Sequence, residues 1–258
     1  MLGKKQNIKN DEWLEQVKNI ENIITIDEIK KLAQSTINQI KKETQNKKCA
    51  YAWSAGKDSI VLSHLCEKSG MVNCMIGVCD LEYPEFYNWV EKNKPENCEI
   101  INTKQNLDWL VQHQNMLFPQ DSKTAARWFS IVQHKAQKQY VKKNNIDIIL
   151  LGRRKADGNY VGKNSNIYTS NGVTRYSPLS EWTHEQILAY IHYYNLPLPP
   201  IYGWKNGYLC GTHPWPARQW TKSTENGWKE IYDIDKNIVI NAAEKIESAK
   251  LFLEGVNK

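Results

Sequence analysis

The residues with the plainest chemical purpose are Ser54, Ala55, Gly56, Lys57, Asp58 and Ser59. They follow a strand-like run, residues 49–53, and lead into Ile60, Val61, Leu62 and Leu65, a segment expected to be helical up to Gly70. A small-residue turn between strand and helix leaves the first helical N–H groups without intrachain partners, and the positive end of the helix dipole strengthens their pull on an anion. Gly56 lets a ligand approach the backbone, Lys57 adds a point charge, and Ser54 and Ser59 offer hydroxyls. Phosphate binding is the chemistry such a set can do. A Walker A loop carries Ser or Thr directly after its Lys, whereas Asp58 stands there, so this is a phosphate loop of another kind.

A second cluster, Gly152, Arg153, Arg154 and Lys155, follows the apolar run 146–151. Two guanidinium groups and an ammonium beside a glycine suit recognition of phosphate or sulfate oxygens; a solvated basic loop is the plain alternative. Asp157-Gly158-Asn159 reads as a turn, with Lys163 and Asn164 placed to close over a ligand. Further on, Cys210 stands three residues before His213, which could lower its pKa, although nothing in the sequence gives the thiol a route to a substrate. Two such groups do not make a metal site, and no metal ligand set from the protein is expected. Trp204, Trp215, Trp220 and Trp228, with Arg218 and Lys222 interleaved, read either as a stacking surface for a base or single strand or as a packed cap over the site.

In their types and their order these stretches resemble the PP-loop ATP pyrophosphatases, in the branch that contains the phosphoadenosine-phosphosulfate (PAPS) reductases. Residues 54–59 are similar to that family's Ser-Gly-Gly-Lys-Asp-Ser, with Ala55 in place of the commoner Gly. Asp80 and Pro84-Glu85 match the reductases' Asp-Thr-Gly and Phe-Pro-Glu-Thr, Gly152-Arg153-Arg154 their Gly-x-Arg, and Pro178-Leu179 with Trp182-Thr183 their Pro-Leu-x-x-Trp-Thr. The run 196–202 and the pair Gly207-Tyr208 complete a resemblance over about residues 48–215. It implies an adenine nucleotide, ATP or PAPS, held by residues 54–59, Asp80, Gly152 and Arg153, with Mg²⁺ accompanying the nucleotide. Lys57, Arg153 and Arg154 would stabilise charge while an acceptor attacks the α-phosphate, giving an adenylylated product and pyrophosphate. Asp80 would meet ribose hydroxyls or the metal, or else cap the next helix. The reductases carry their nucleophile in a Glu-Cys-Gly-Leu-His motif near the C-terminus. No cysteine follows Cys210 here, and chain order places Cys210 in the earlier Gly-Tyr segment. Three functions therefore stay open: adenylyl transfer to an unnamed acceptor, sulfonucleotide reduction through Cys210, and a nonenzymatic nucleotide sensor with a protein or DNA partner.

Positioning these groups calls for an α/β fold: a doubly wound, mostly parallel sheet with helical additions at both ends. Strands are expected at 49–53, 72–79, 98–102 and 146–151, with a helix opening at Pro84 and one long helix over 122–143. Ligands in such sheets sit beyond the carboxyl ends of the strands, where both clusters fall. The division is 1–46 for a helical extension, 47–200 for the nucleotide domain and 201–258 for a Trp-rich cap and terminal helix. Residues 1–10 are expected to fray. Trp13, Leu14, Val17 and Ile20 share one helical face and Ile29, Leu32, Ile37 and Ile40 another, with a break near Thr25. These helices, and the tail 241–253, would lean on the sheet, a protein partner or a second copy. Thr183 and Gln186 form a capping box, and Trp182 reads as core.

At 258 residues, 41% hydrophobic and 24% charged, the chain can bury a sizeable core. The net charge of +6 and pI near 8.8 favour anionic ligands, but the basic residues are spread out and lend only slight support to a nucleic-acid partner. No run approaches the ~20 apolar residues of a membrane span. The first residues pass straight into polar sequence, so no signal peptide is expected. Six cysteines without C-x-x-C spacing suit buried thiols in a reducing, cytoplasmic setting.

Overall fold

The computed structural model describes residue 2 and residues 8–256, apart from 164, 165 and 220. Expectations placed on residues 3–7, Asn164 and Trp220 lie outside these. The chain opens with three helices, α1 (Asn10–Lys18), α2 (Ile20–Ile23) and α3 (Ile26–Thr44). Thr25 starts α3 by a capping box, its side chain accepting from the Glu28 amide while Glu28 reaches back to the Thr25 amide. Strand β1 (Cys49–Ala52) leads into α4 (Lys57–Ser69), which ends at Gly70 with φ +90°. Then come β2 (Cys74–Val78), α5 (Pro84–Asn93), β3 (Cys98–Asn102) and α6 (Leu107–Gln112).

The sheet runs in the order β3-β2-β1 and continues through β4 (Ile148–Leu150) to β6 (Val173–Tyr176) and β5 (Ile167–Ser170). All neighbours are parallel except the edge pair β5–β6. From β1 the chain proceeds one way to β2 and β3, then returns to lay β4 on the other side. That reversal opens a crevice at the carboxyl ends of β1 and β4.

Two expectations change. The long helix 122–143 is α7 (Ser122–Phe129) and α8 (Lys135–Asn144) joined by a π-helical segment, Ser130–His134. The widened turn lies where the helix crosses β2 at Gly77: a Cβ there would stand 2.8 Å from that of Ala136, and Gln133 Nε2 donates to the Gly77 carbonyl at 2.8 Å. Residues 167–176, where no strand is expected from the sequence, form a hairpin turning through Asn171 and Gly172, with φ +53° and +75°. Paired positive φ values are what a tight hairpin turn requires.

Beyond the hairpin lie α9 (His184–Tyr193), α10 (Gly207–Cys210), α11 (Thr224–Ile234), α12 (Lys236–Ala243) and α13 (Glu247–Val256). Trp13, Trp182 and Trp228 belong to one hydrophobic core with Val61 and Leu150. Trp228 packs on Phe118 and Trp215, Trp204 packs on Tyr83, and Arg218 is buried on Glu230 at 2.7 Å. Trp215, Trp228 and Arg218 are buried and so are not open to stack on a base, while Trp204 is half-buried. Among the described residues no helix is long and apolar enough to cross a membrane.

Candidate functional site

The chain leaves β1 and turns at Ala55, whose φ of +56° is a left-handed conformation that costs a Cβ-bearing residue about 1 kcal/mol. Gly56 then caps α4 with extended backbone. A Cβ on Gly56 would stand 3.3 Å from both Ser54 Oγ and Thr212 Oγ1 and 3.6 Å from Tyr202 Oη. Three hydroxyls thus converge on this glycine. The loop is braced from within: the Ser54 amide and Oγ donate to Ser59 Oγ at 3.0 and 3.2 Å, and Ser59 Oγ donates to the Gly56 carbonyl at 2.9 Å. The Lys57 amide donates to Tyr202 Oη at 2.7 Å. Gly152 abuts the loop so closely that a Cβ would lie 3.2 Å from the Ser59 nitrogen.

Ser54, Gly56, Asp58 and Ser59 line a cavity of about 400 Å³ together with Gly152, Arg153, Tyr202, Thr212 and His213. The helix with the π segment closes the facing side through Phe129, Gln133, His134 and Gln137. π-helical turns often re-aim side chains in this way at functional sites.

Lys57 and Arg154 do not line this cavity among the described residues. Both were expected against phosphate; in this structure they lie below the loop, 1% and 0% exposed. The Asp58 carboxylate bridges them, 2.7 Å from Lys57 Nζ and 2.7 Å from Arg154 Nε. Arg154 also donates to Asp157, to the Trp182 carbonyl at 3.1 Å and to His184 Nδ1 at 3.0 Å. Trp13 covers Lys57, its ring centroid 5.2 Å from Nζ, and meets His184 edge-on. Burial, then the charges of Arg154 and Lys57, push His184 down to about 4, so it is neutral near pH 7. Two buried cations and two carboxylates balance one another, which buried charge requires.

Arg153 is placed differently. It lines the cavity, with one terminal nitrogen donating to Tyr168 Oη at 2.7 Å and the other to His134 Nε2 at 3.0 Å. No carboxylate pairs with it among the described residues. Partial burial, Arg153 and Arg175 together hold His134 below the usual imidazole range, leaving it neutral and able to accept.

Asp80 is exposed, accepts from Asn102 Nδ2 and lies off the cavity wall; the residue capping α5 is Tyr83, so Asp80 does not cap it either. Cys210 is 7% exposed with its thiol 3.8 Å from the Gln219 carbonyl, and does not line the cavity, although His213 does. All six thiols are buried and unbridged. Sequence reasoning missed the contributions of Phe129, Gln133, His134 and Gln137, which have no local motif. Neither Tyr202, in the run 196–202, nor Thr212, between Cys210 and His213, carries a local signal for a role in the cavity.

The family model for the phosphoadenosine phosphosulfate reductase domain matches residues 48–209. The chain belongs to this family. Within the PAPS reductase family, a PAPS reductase of Vibrio campbellii is 19% identical over 141 residues, 54% of each chain. The chain thus spans about half the length of that curated relative. Among solved structures, a PAPS reductase from Candida auris in a phosphate complex superposes with a TM-score of 0.50 at 17% identity, over 69% of this chain and 91% of that one. An NMN synthetase from Francisella tularensis matches more loosely, with a TM-score of 0.44 at 17% identity over 66% and 71%. At 17% identity the likeness to the Candida auris structure speaks to the fold alone, a mostly parallel α/β sheet.

Proposed function

We propose that the chain binds an adenine nucleotide with its phosphates on residues 54–59 and against Arg153, and that with ATP it transfers the adenylyl group to an acceptor. The observation that carries this reading is Arg153: a guanidinium without a carboxylate partner among the described residues faces the same cavity as a helix-capping glycine loop. In the reaction an acceptor atom bonds to the α-phosphorus, the bond to the bridging oxygen breaks, and pyrophosphate leaves with the electron pair. The loop amides and Arg153 take up charge on the phosphates, while Lys57, Asp58 and Arg154 hold the loop rigid beneath them. The residues present do not fit a magnesium site of the protein's own. Asp58 and Asp157 line the cavity, but both are engaged by cations, and no cluster of three or more potential ligands exists among the described residues.

Family membership favours a second reading, thiol-dependent reduction of a sulfonucleotide such as PAPS. Weighing against it, no cysteine lines the cavity among the described residues. With ATP, Mg²⁺ and candidate acceptors the protein is expected to release pyrophosphate. Sulfite release from PAPS that disappears in Cys210→Ser would overturn adenylyl transfer in favour of reduction. Tight ATP binding with neither product would favour the nonenzymatic sensor.

A further inference from the structure

We infer that Tyr202 and Thr212, rather than Ser54 and Ser59, are the hydroxyl donors to a tetrahedral oxyanion, phosphoryl or sulfuryl, held at Gly56. The inference rests on the nucleotide reading above and goes further, to the atoms that grip the anion.

A hydroxyl has one proton to give. Ser54 spends its proton on Ser59 Oγ and Ser59 spends its own on the Gly56 carbonyl. Both therefore hold the loop closed. Tyr202 Oη accepts from the Lys57 amide, and among the described residues it has no acceptor for its proton. Tyr202 is 8% exposed and lines the cavity, so a ligand oxygen at Gly56 is the natural acceptor. Burial, reinforced by Asp58, raises the phenol's pKa, which keeps that proton in place. Tyr202 thus converts an inward-turned amide into a donor aimed at the ligand. Thr212 Oγ1 has no partner among the described residues and faces the same glycine.

The phenol is held in place by a line of rings. Tyr202 packs on Tyr208 with centroids 4.9 Å apart, and Tyr208 stacks on Trp13 at 5.5 Å. Trp13 and Thr212 both lie outside the segment shared with the family. Because the charges under the loop are balanced in pairs, neutral donors do the gripping there and Arg153 supplies the charge from the side.

Calorimetric titration with ATP and adenosine, alongside thermal melting, tests the assignment in Tyr202→Phe, Thr212→Val and Ser54→Ala. Tyr202→Phe and Thr212→Val should each weaken ATP about tenfold or more while leaving adenosine within about twofold. Ser54→Ala should lower the melting temperature and reduce the ATP-to-adenosine ratio less than either hydroxyl variant does. Should Tyr202→Phe fail to fold, Thr212→Val at its half-buried position carries the same comparison. Wild-type ATP affinity in both hydroxyl variants, or a ratio that collapses in Ser54→Ala instead, would overturn the inference and leave the nucleotide reading standing. Absence of ATP and PAPS binding by the wild type would remove that reading, and this inference with it.

Discussion

Arg153 and Arg154 are consecutive, yet they belong to two different electrostatic regions. Backbone at the end of β4 is extended, with Arg154 at φ −132° and ψ 148°, so neighbouring side chains leave on opposite sides. Arg154 goes down, under the loop, into a pocket already holding Asp58, Asp157 and neutral His184. Arg153 goes up, into the cavity, where Tyr168 and His134 orient it without neutralising it. One arginine therefore serves the fold, and the other is the one proposed to meet an anion. A basic doublet in a sequence need not be a double contact.

The comparison can be broken in four places. The largest effect should come from Arg154→Ala, which leaves Asp157 without its cation and Asp58 with Lys57 alone. Removing one partner of a buried ion network costs about 3–5 kcal/mol, measurable by denaturant unfolding; a loss below about 1 kcal/mol would mean the floor is not a charge-balanced unit. Next is acid. His184 is held near 4 when folded, against an ordinary value of 6.5. Its contribution is complete above pH 6.5 and is lost as pH falls toward 4, because the unfolded chain takes up a proton that the folded one refuses. With 1% exposure, the loss is about 3 kcal/mol. His184→Gln should flatten the stability profile in that window, and an unchanged slope would count against a buried neutral imidazole.

Arg153→Ala should do the reverse of Arg154→Ala. Stability should stay within about 0.5 kcal/mol, while ATP affinity falls about tenfold or more; Arg153→Lys should recover only part of it, since a point charge replaces a planar fork. The smallest change is Ala55→Gly. It relieves about 1 kcal/mol of left-handed strain but removes a fully buried methyl worth about 0.8 kcal/mol. A melting shift equivalent to less than about 1 kcal/mol is expected; a larger stabilisation would show that the turn, rather than the ion network, limits the loop.

Much of this was legible in the chain. The strand–loop–helix at 49–70, the strand before Gly152 and the capping box at Thr183 all follow from local periodicity and turn chemistry. The hairpin is equally legible, since an Asn-Gly pair at 171–172 is a strong turn signal. The direction of each cation was not. That Lys57 turns under its own loop depends on Asp58 beside it, on Arg154 from the chain after β4 and on Trp13 from α1, and no local pattern encodes that meeting. Nor does any motif mark the π segment that brings His134 to Arg153, since it arises from the contact of the helix with Gly77.

The most direct test is a crystal structure of the protein with ATP. The account predicts phosphate oxygens at Gly56, within hydrogen-bond reach of Tyr202 Oη and Arg153, with Arg154 still bonded to Asp58. A triphosphate bound instead to Lys57 and Arg154, with Asp58 displaced, would contradict it.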